Sequence, residues 1–500
     1  MLDAVLTVLR FEKENLTSES LARWENLKQE VIGKDYSSKM KRYVGIVFMH
    51  DMTTEGDPLD PVKPKIAELA KESVLDKDSF AKELSWLTTK KAENGYMFGY
   101  NLAENDQGYT LLCTLLEAQR QAGADGSAFF LGGYFRHIAE KDPLRYEEEL
   151  DRMAKDPLLK KWVPEITWRA NTTNRAAQRL IDLVKRGEVD KKGLHMFALG
   201  SAVRNLDEKT FVEWIEFLLD QREDFDSVTL AANLHHFYYL KSHIKRQLPD
   251  ELTKRILLDD AFFGIIGGKK AEEVLKIPAF RNTMVEYYWT ELAKAYVTNF
   301  PDKSLELGQK MLEHFGEDWS IVHGYSQAIP VLTQIARIHT LKIWEQASKF
   351  LGPPIDARAF HIEQWLKGTD YFKEKESGFL SEIPIDKIVE WVDQDVDKRA
   401  WYLAYFVPKK PFAAEGRICP REVLVRYGHR EDVRKNLLAN FETEFFSGSE
   451  SLHQREKRNY LLKLKENENN SNVRQWIDDY IDKLDRDIER AENMEERHEF

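Results

Sequence analysis

An all-α fold, arranged as an irregular α-solenoid of antiparallel helix pairs and closed by a C-terminal amphipathic helix, is what these 500 residues predict. Three observations carry that expectation. Apolar stripes at helical spacing recur along the chain, Asp, Pro and Gly punctuate them at short intervals, and stretches of alternating apolar and polar residues are almost missing. A parallel-sheet enzyme fold is disfavoured, and stacked helix pairs are the economical way to bury many one-sided helices.

The first region, residues 1–107, opens on the apolar run Leu2 to Leu9. Asp57-Pro58, Asp60-Pro61 and Pro64, then Asn94-Gly95, Gly99 and Asn105 to Gly108, predict an irregular helical segment with long loops. A helical-repeat array is predicted over 108–382. Asp142-Pro143 and Asp156-Pro157 announce helix starts there, because Asp caps free N–H groups and Pro suits the first helical turn. Asp207 precedes a helix over Thr210 to Leu219 that places Phe211, Trp214, Ile215, Leu218 and Leu219 on one face. Val285, Tyr288, Trp289, Leu292 and Tyr296 form another stripe, and Ile335, Ile338, Ile343 and Trp344 belong to two more that meet near His339-Thr340. Gly187, Gly200, Gly316, Gly352 and Gly428 fall where helices should stop.

The third region, 383–500, is predicted to be a C-terminal helical capping region. From Asn472, the residues Val473, Trp476, Ile477, Tyr480, Ile481, Leu484, Ile488, Ala491 and Met494 mark one face of a long amphipathic helix. Ten acids oppose five bases between Asn472 and Phe500, and clean heptads are too few for a coiled coil, so docking as a terminal cap is favoured. About 30 to 45 residues separate successive pairs, which suits degenerate HEAT- or TPR-like units better than ankyrin or leucine-rich repeats. A globular all-α domain without repeats is the alternative.

Composition narrows the function classes. Hydrophobic residues at 42% and aromatics at 12% suffice for a large core, and the two cysteines, Cys113 and Cys419, are too distant in sequence to suggest a disulfide framework. That usage fits a reducing, cytoplasmic setting. A net charge of -12 disfavours non-specific adhesion to nucleic acid or anionic lipid. The longest apolar runs, such as Tyr43 to Met49 and Ala261 to Ile266, fall far short of the ~20 residues that span a bilayer. Met1 to Phe11 lacks the basic start and cleavage site of a signal peptide. An additional domain upstream remains compatible with this opening.

No stretch forms a catalytic constellation. Phe262 to Lys270 has the glycines of a phosphate loop, but Phe263 occupies the first Gly position and Lys270 replaces the hydroxyl that would bind magnesium, so a helix-connecting loop is favoured. Gly123 to Gly133 lacks dinucleotide-binding spacing and reads as tight helix packing. His236 and His243, beside His235, could share a helix face, yet two imidazoles without convergent carboxylates are not a metal site. Asp393, Asp395 and Asp397 imitate the start of a calcium loop, but Lys398 and Ala404 stand where that loop needs Gly and Glu. Cys113 lies in the apolar run Leu111 to Leu116 and Cys419 precedes Pro420 at a helix start, so buried or incidental thiols are favoured. Arg455, Lys457, Arg458, Lys463 and Lys465 form a basic stretch around Tyr460, interleaved with enough acids to favour a solvated helix face.

Tyr427 to Arg434, Leu438 to Phe441, Ser447 to His453 and Val473 to Ile477 resemble blocks in the C-terminal helical region of large bacterial multidomain proteins. In these, a STAND-type NTPase or sirtuin-like NAD hydrolase precedes a HEAT- or TPR-like array, and several act in antiphage defence. The resemblance is strongest from Ile383 onward and includes neither effector's motif. It implies a sensing or scaffolding array with ligand-induced repacking, and it transfers no catalytic residue. Arg426, His429, Arg430, Glu450 and His453, which flank Ser447 to Ser451, are the candidate contact residues; capping of the two helices that meet there is the structural alternative.

The leading expectation is a non-enzymatic scaffold or sensor for a protein partner, with no cofactor and no membrane or nucleic-acid partner. Two alternatives stay open. Twelve Trp and nineteen Tyr would serve an α/α-toroid enzyme acting on glycans through paired carboxylates, and a nucleic-acid-binding repeat would need a continuous basic concave face.

Overall fold

The computed structural model describes residues 2–33, 35–45, 62–199, 202–220, 225–266, 268–270, 283–323, 326–368, 378–443 and 448–498. Its internal contacts divide the chain into two units, residues 1–220 with 237–245, and residues 221–236 with 246–500. In the first lie α1 (Leu2–Phe11), α2 (Ser18–Ile32), α3 (Tyr36–Tyr43), α4 (Val62–Leu75), α5 (Lys77–Leu87) and α6 (Gly95–Asn105). They are followed by α7 (Leu112–Arg120), α8 (Phe129–Lys141), α9 (Pro143–Lys155), α10 (Val163–Ala170), α11 (Asn174–Lys185) and α12 (Glu208–Leu219). Helix α13 (Phe225–Tyr239) contributes residues to both units.

The second unit continues with α14 (Asp250–Leu257), α15 (Thr283–Asn299), α16 (Leu305–Glu313), α17 (Ile329–Ile338), α18 (Thr340–Ala347) and α19 (Ala357–Lys367). Then come α20 (Ile385–Asp393), α21 (Val396–Phe406), α22 (Pro420–Tyr427), α23 (Glu431–Glu442), α24 (Glu450–Glu466) and α25 (Ser471–His498). Besides the small antiparallel hairpin of β1 (Ile265–Ile266) and β2 (Lys269–Lys270) and an isolated bridge between Thr89 and Gly126, regular structure among the described residues is helical. The all-α expectation therefore holds. No described helix is long and apolar enough to cross a membrane.

Local chemistry accounts for several boundaries. The Asp142 carboxylate accepts the Arg145 N–H at 3.1 Å with Pro143 in the first turn of α9, and Asp207 accepts from Thr210 N at 2.7 Å to start α12. Each relieves a donor that the helix leaves unpaired. Asp156-Pro157 behaves differently from its expectation. One Asp156 oxygen accepts from the N–H groups of Leu158 and Leu159 and the other binds Arg120 at 2.8 Å, closing a turn, while α10 begins only at Val163.

Gly187 and Gly316 follow helices with φ of 68° and 77°, the left-handed conformation expected of them. Gly428 does not, at φ -68°. Its missing side chain matters because a Cβ would collide with Leu424 O and approach Asn472. Gly200 lies outside the described residues, as do Asp57-Pro58 and Asp60-Pro61. Gly99, expected in a loop, sits inside α6. There it faces α8, where a Cβ would strike Phe130 O, while a Cβ on Gly133 would strike Tyr96 O. These reciprocal glycines let the two backbones approach closely, at the cost of about 1 kcal/mol of helix propensity each.

Within each unit the principal packing partners of a helix lie one to three helices away along the chain. Thus α4 meets α6, α6 meets α8, α8 meets α10, and α9 meets α11; in the second unit α15 meets α17, α16 meets α18, and α21 meets α23. Buried tryptophans tie such neighbours together. The indole N–H of Trp214 donates to Ala177 O at 3.0 Å, Trp289 to Leu257 O at 3.2 Å, Trp365 to Thr333 Oγ1 at 3.0 Å and Trp476 to Arg434 O at 3.1 Å. Each ring fills apolar volume while its polar atom finds an acceptor, as buried indoles require.

The stripe on α25 is covered by the chain itself over its N-terminal part, whereas Ile488 is half-buried and Met494, predicted on the same face, is exposed. Val473, Trp476, Ile477, Tyr480 and Leu484 are buried, α25 packs on α22 and α24, and Trp476 lies 5.9 Å from Phe412 and 5.3 Å from Phe441 between ring centroids.

Candidate functional site

Arg426, His429 and Arg430 stand at the junction of α22 and α23, and Glu450 and His453 in the first turn of α24. Arg426 pairs with Glu422 at 2.7 Å along its own helix. Arg430 makes a fork with Asp432, at 3.1 and 2.9 Å, and reaches Asp397 at 2.6 Å. That bond from Arg430, opposed by partial burial, holds the Asp432 carboxyl below the usual range. His429 is exposed, and Glu450 and His453 are half-buried. The start of α24 is built by residues outside the five: Ser449 caps it by accepting from Leu452 N at 3.1 Å, and Ser449 and Ser451 donate to Glu495 of α25 at 2.9 and 2.6 Å. Hydrogen bonds, led by that from Ser451, lower the Glu495 carboxyl.

The basic stretch of α24 is largely spent on the same neighbour. Arg455 pairs with Glu492, Arg458 with Asp485 at 2.5 Å, and Lys465 with Asp478. A helix with this acidic partner offers phosphate few uncommitted cations, in line with the solvated-face expectation.

The other motifs resolve into local structure. The described residues of Phe262 to Lys270 lie in the 3-10 turn Asp260–Phe263 and in the paired strands β1 and β2, with Gly264 left-handed at φ 78°. His235 and His236 are buried in α13, whereas His243 lies beyond its end and is exposed, so the proposed shared face does not exist. Burial, with a smaller contribution from His236, pushes the His235 imidazole down to about 3, and its Nε2 is 2.9 Å from the Thr253 hydroxyl. Asp395 caps α21, Asp393 accepts from Tyr427 at 2.9 Å and Asp397 binds Arg430. Cys113 is exposed although it lies in an apolar run, and Cys419 is buried. Among the described residues no group of three or more His, Cys, Asp or Glu is placed to hold a metal ion.

Two features emerge that sequence reading missed. The first is Glu363 on α19, fully buried, accepting from the Tyr402 hydroxyl of α21 with one carboxylate oxygen and, among the described residues, from no donor with the other. Burial pushes its pKa up to about 7, so the neutral acid is the form the site accommodates.

The second is an open cleft of about 410 Å³ in the first unit, walled by α6, α8, α10 and the chain that follows α10. Arg136 of α8 uses Nε on Glu140 at 2.6 Å and Nη1 on Ala170 O at 2.7 Å. Arg169 of α10 binds Glu165 through Nε at 2.9 Å, and its guanidinium carbon lies 4.4 Å from the Phe129 ring centroid and 4.8 Å from that of Trp168. Glu165 is itself fixed by the Ala128 N–H at 3.0 Å. Thr172 lines the wall with its hydroxyl bonded to nothing among the described residues. No spacing in the sequence joins residue 136 to 169, and the only local sign was the adjacent pair Trp168-Arg169. A smaller cleft of about 280 Å³ between α3 and α4 has its charges paired, Lys39 with Glu72 at 3.6 Å and Lys65 with Glu68 at 2.9 Å.

Compared with protein-family models, with curated proteins and with solved structures, the chain matches none.

Proposed function

We propose that this chain is a non-enzymatic helical-repeat scaffold, an irregular HEAT- or TPR-like α-solenoid, that binds a protein partner. One observation carries the reading: the buried indoles of Trp214, Trp289, Trp365 and Trp476 reach acceptors 37, 32, 32 and 42 residues away. That interval is the length of one helix pair, about 30 to 45 residues, and the recurring near-neighbour packing is what a stack of such pairs requires. Repeats of this kind expose long surfaces suited to extended partners. The resemblance of the segment from Ile383 onward to helical regions of bacterial multidomain proteins adds a role as the sensing part of an antiphage system in the cytoplasm, with α25 as the terminal cap.

A glycan-processing toroid draws less support, because the 410 Å³ cleft carries no Asp or Glu among its lining residues. The test is affinity capture with the tagged full chain from its host, with and without phage infection, followed by reconstitution of a purified complex of defined stoichiometry. Such a complex is the expected result. Hydrolase activity of the purified chain with no reconstitutable partner would overturn the scaffold.

A further inference from the structure

The 410 Å³ cleft of the first unit is lined by two arginines, Arg136 and Arg169. The guanidinium of Arg169 is oriented on three sides, by Glu165 at Nε and by the Phe129 and Trp168 rings, while neither terminal nitrogen donates to any described residue. Its stem lies against Gly132, where a Cβ would stand 2.8 Å from Arg169 Cδ, so α8 makes room for it. Arg136 is locked in place by Glu140 at Nε and Ala170 O at Nη1, which leaves its Nη2 as a single further donor. The terminal fork of Arg169 can take a carboxylate in the bidentate manner and Nη2 of Arg136 can add one further bond, and having both arginines ordered in advance lowers the entropy cost of binding.

The aromatic walls favour a carboxylate over a base. One face of each of the Phe129 and Trp168 rings is turned to the guanidinium, so these rings serve to fix the cation, and the chain's net charge of -12 repels a polyanion while tolerating a short acidic segment. The buried hydroxyl of Thr172, which has no hydrogen-bond partner among the described residues, marks unmet polar capacity in the same wall.

We propose that this cleft binds a Glu- or Asp-containing segment of a protein partner, which rests on the scaffold reading above and names the chemistry of what the scaffold holds. The probe is a fluorescein-labelled Gly-Glu-Glu-Gly-Glu-Gly peptide titrated with the full chain and followed by anisotropy, against the same peptide with Gln for Glu. Saturable binding at least about tenfold tighter for the Glu peptide is expected. Arg169→Lys, which keeps the charge and loses the fork, and Arg136→Gln should each weaken it about tenfold without shifting the thermal midpoint of the melt by more than a few degrees; the exposed Arg23→Gln should leave it unchanged. Equal binding of the two peptides, no binding at millimolar concentration, indifference to both cleft variants, or displacement by ATP at concentrations below those of the peptide would overturn the proposal. A misfolded Arg169→Lys leaves Arg136→Gln to decide. None of these results depends on a captured partner, so failure here leaves the scaffold reading to its own test.

Discussion

Glu363 concentrates at one side chain the general cost of placing a carboxyl where water does not reach. Tyr402 supplies one hydrogen bond, and the second oxygen has none among the described residues, so ionisation is opposed by burial and only partly relieved by the tyrosine and by Lys367. A group whose folded pKa lies above its unfolded value loses its stabilising contribution as pH rises. The unfolded carboxyl begins to release its proton near 4.5 and the folded one only near 7, so between those values the unfolded state binds fewer protons and stability falls; above about 7 the effect is complete. Urea denaturation from pH 4.5 to 8 should show this decline, and Glu363→Gln, which keeps an acceptor for Tyr402, should remove that share of it. A variant whose profile parallels the parent's would show that Glu363 ionises freely.

At the scale of the element, the α6–α8 crossing depends on atoms that are missing. Gly99 and Gly133 place each helix against a carbonyl of the other, and Phe98 stacks on Phe130 at 5.7 Å beside that contact. Alanine is the better helix former by about 1 kcal/mol, so an isolated helix would gain from Gly133→Ala. In the folded protein the added methyl must displace backbone rather than a mobile side chain, and overpacking of this kind costs about 1–3 kcal/mol. The net expectation is a loss of stability with no loss of helix content at low temperature, measured by urea denaturation and circular dichroism. A stabilised variant would mean that the crossing is looser than described. The same contact explains why Gly99 departs from the loop expected of it: a glycine in isolation suggests a turn, and only the opposing carbonyl shows that it belongs inside a helix.

For the whole molecule, the C-terminal helix is the piece whose removal is most informative. Trp476 touches Phe412, Phe441 and Tyr480, and its indole binds Arg434 O, so α25 closes an apolar layer over α22 and α23. Deleting the residues after Ser471 should uncover that layer and cause aggregation, read by light scattering and dye binding, while Trp476→Ala alone should cost about 3–5 kcal/mol. A truncated chain as soluble and stable as the parent would show that the layer is sealed without α25.

Helix identity, most starts and the buried face of α25 follow from the order of residues, because capping and 3.6-residue periodicity act over a turn or two of chain. That is why Asp207 with Phe211 and Trp214, and the stripe from Val473 to Leu484, could be read directly. Asp156 and Gly428 could not, since each answers to a partner from another segment, Arg120 in one case and Asn472 in the other. Of the five polar residues singled out, Arg426, His429 and Arg430 stand at the α22–α23 junction and Glu450 and His453 at the start of α24, and Arg430's commitment to Asp397, 33 residues away, became visible only in three dimensions. The Arg136–Arg169 cleft lay wholly beyond sequence reading. Arg136 and Arg169 line one cleft because α8 and α10 pack together at Gly132, and the angle and depth of a helix crossing are set by packing over the whole contact rather than by any local run of residues.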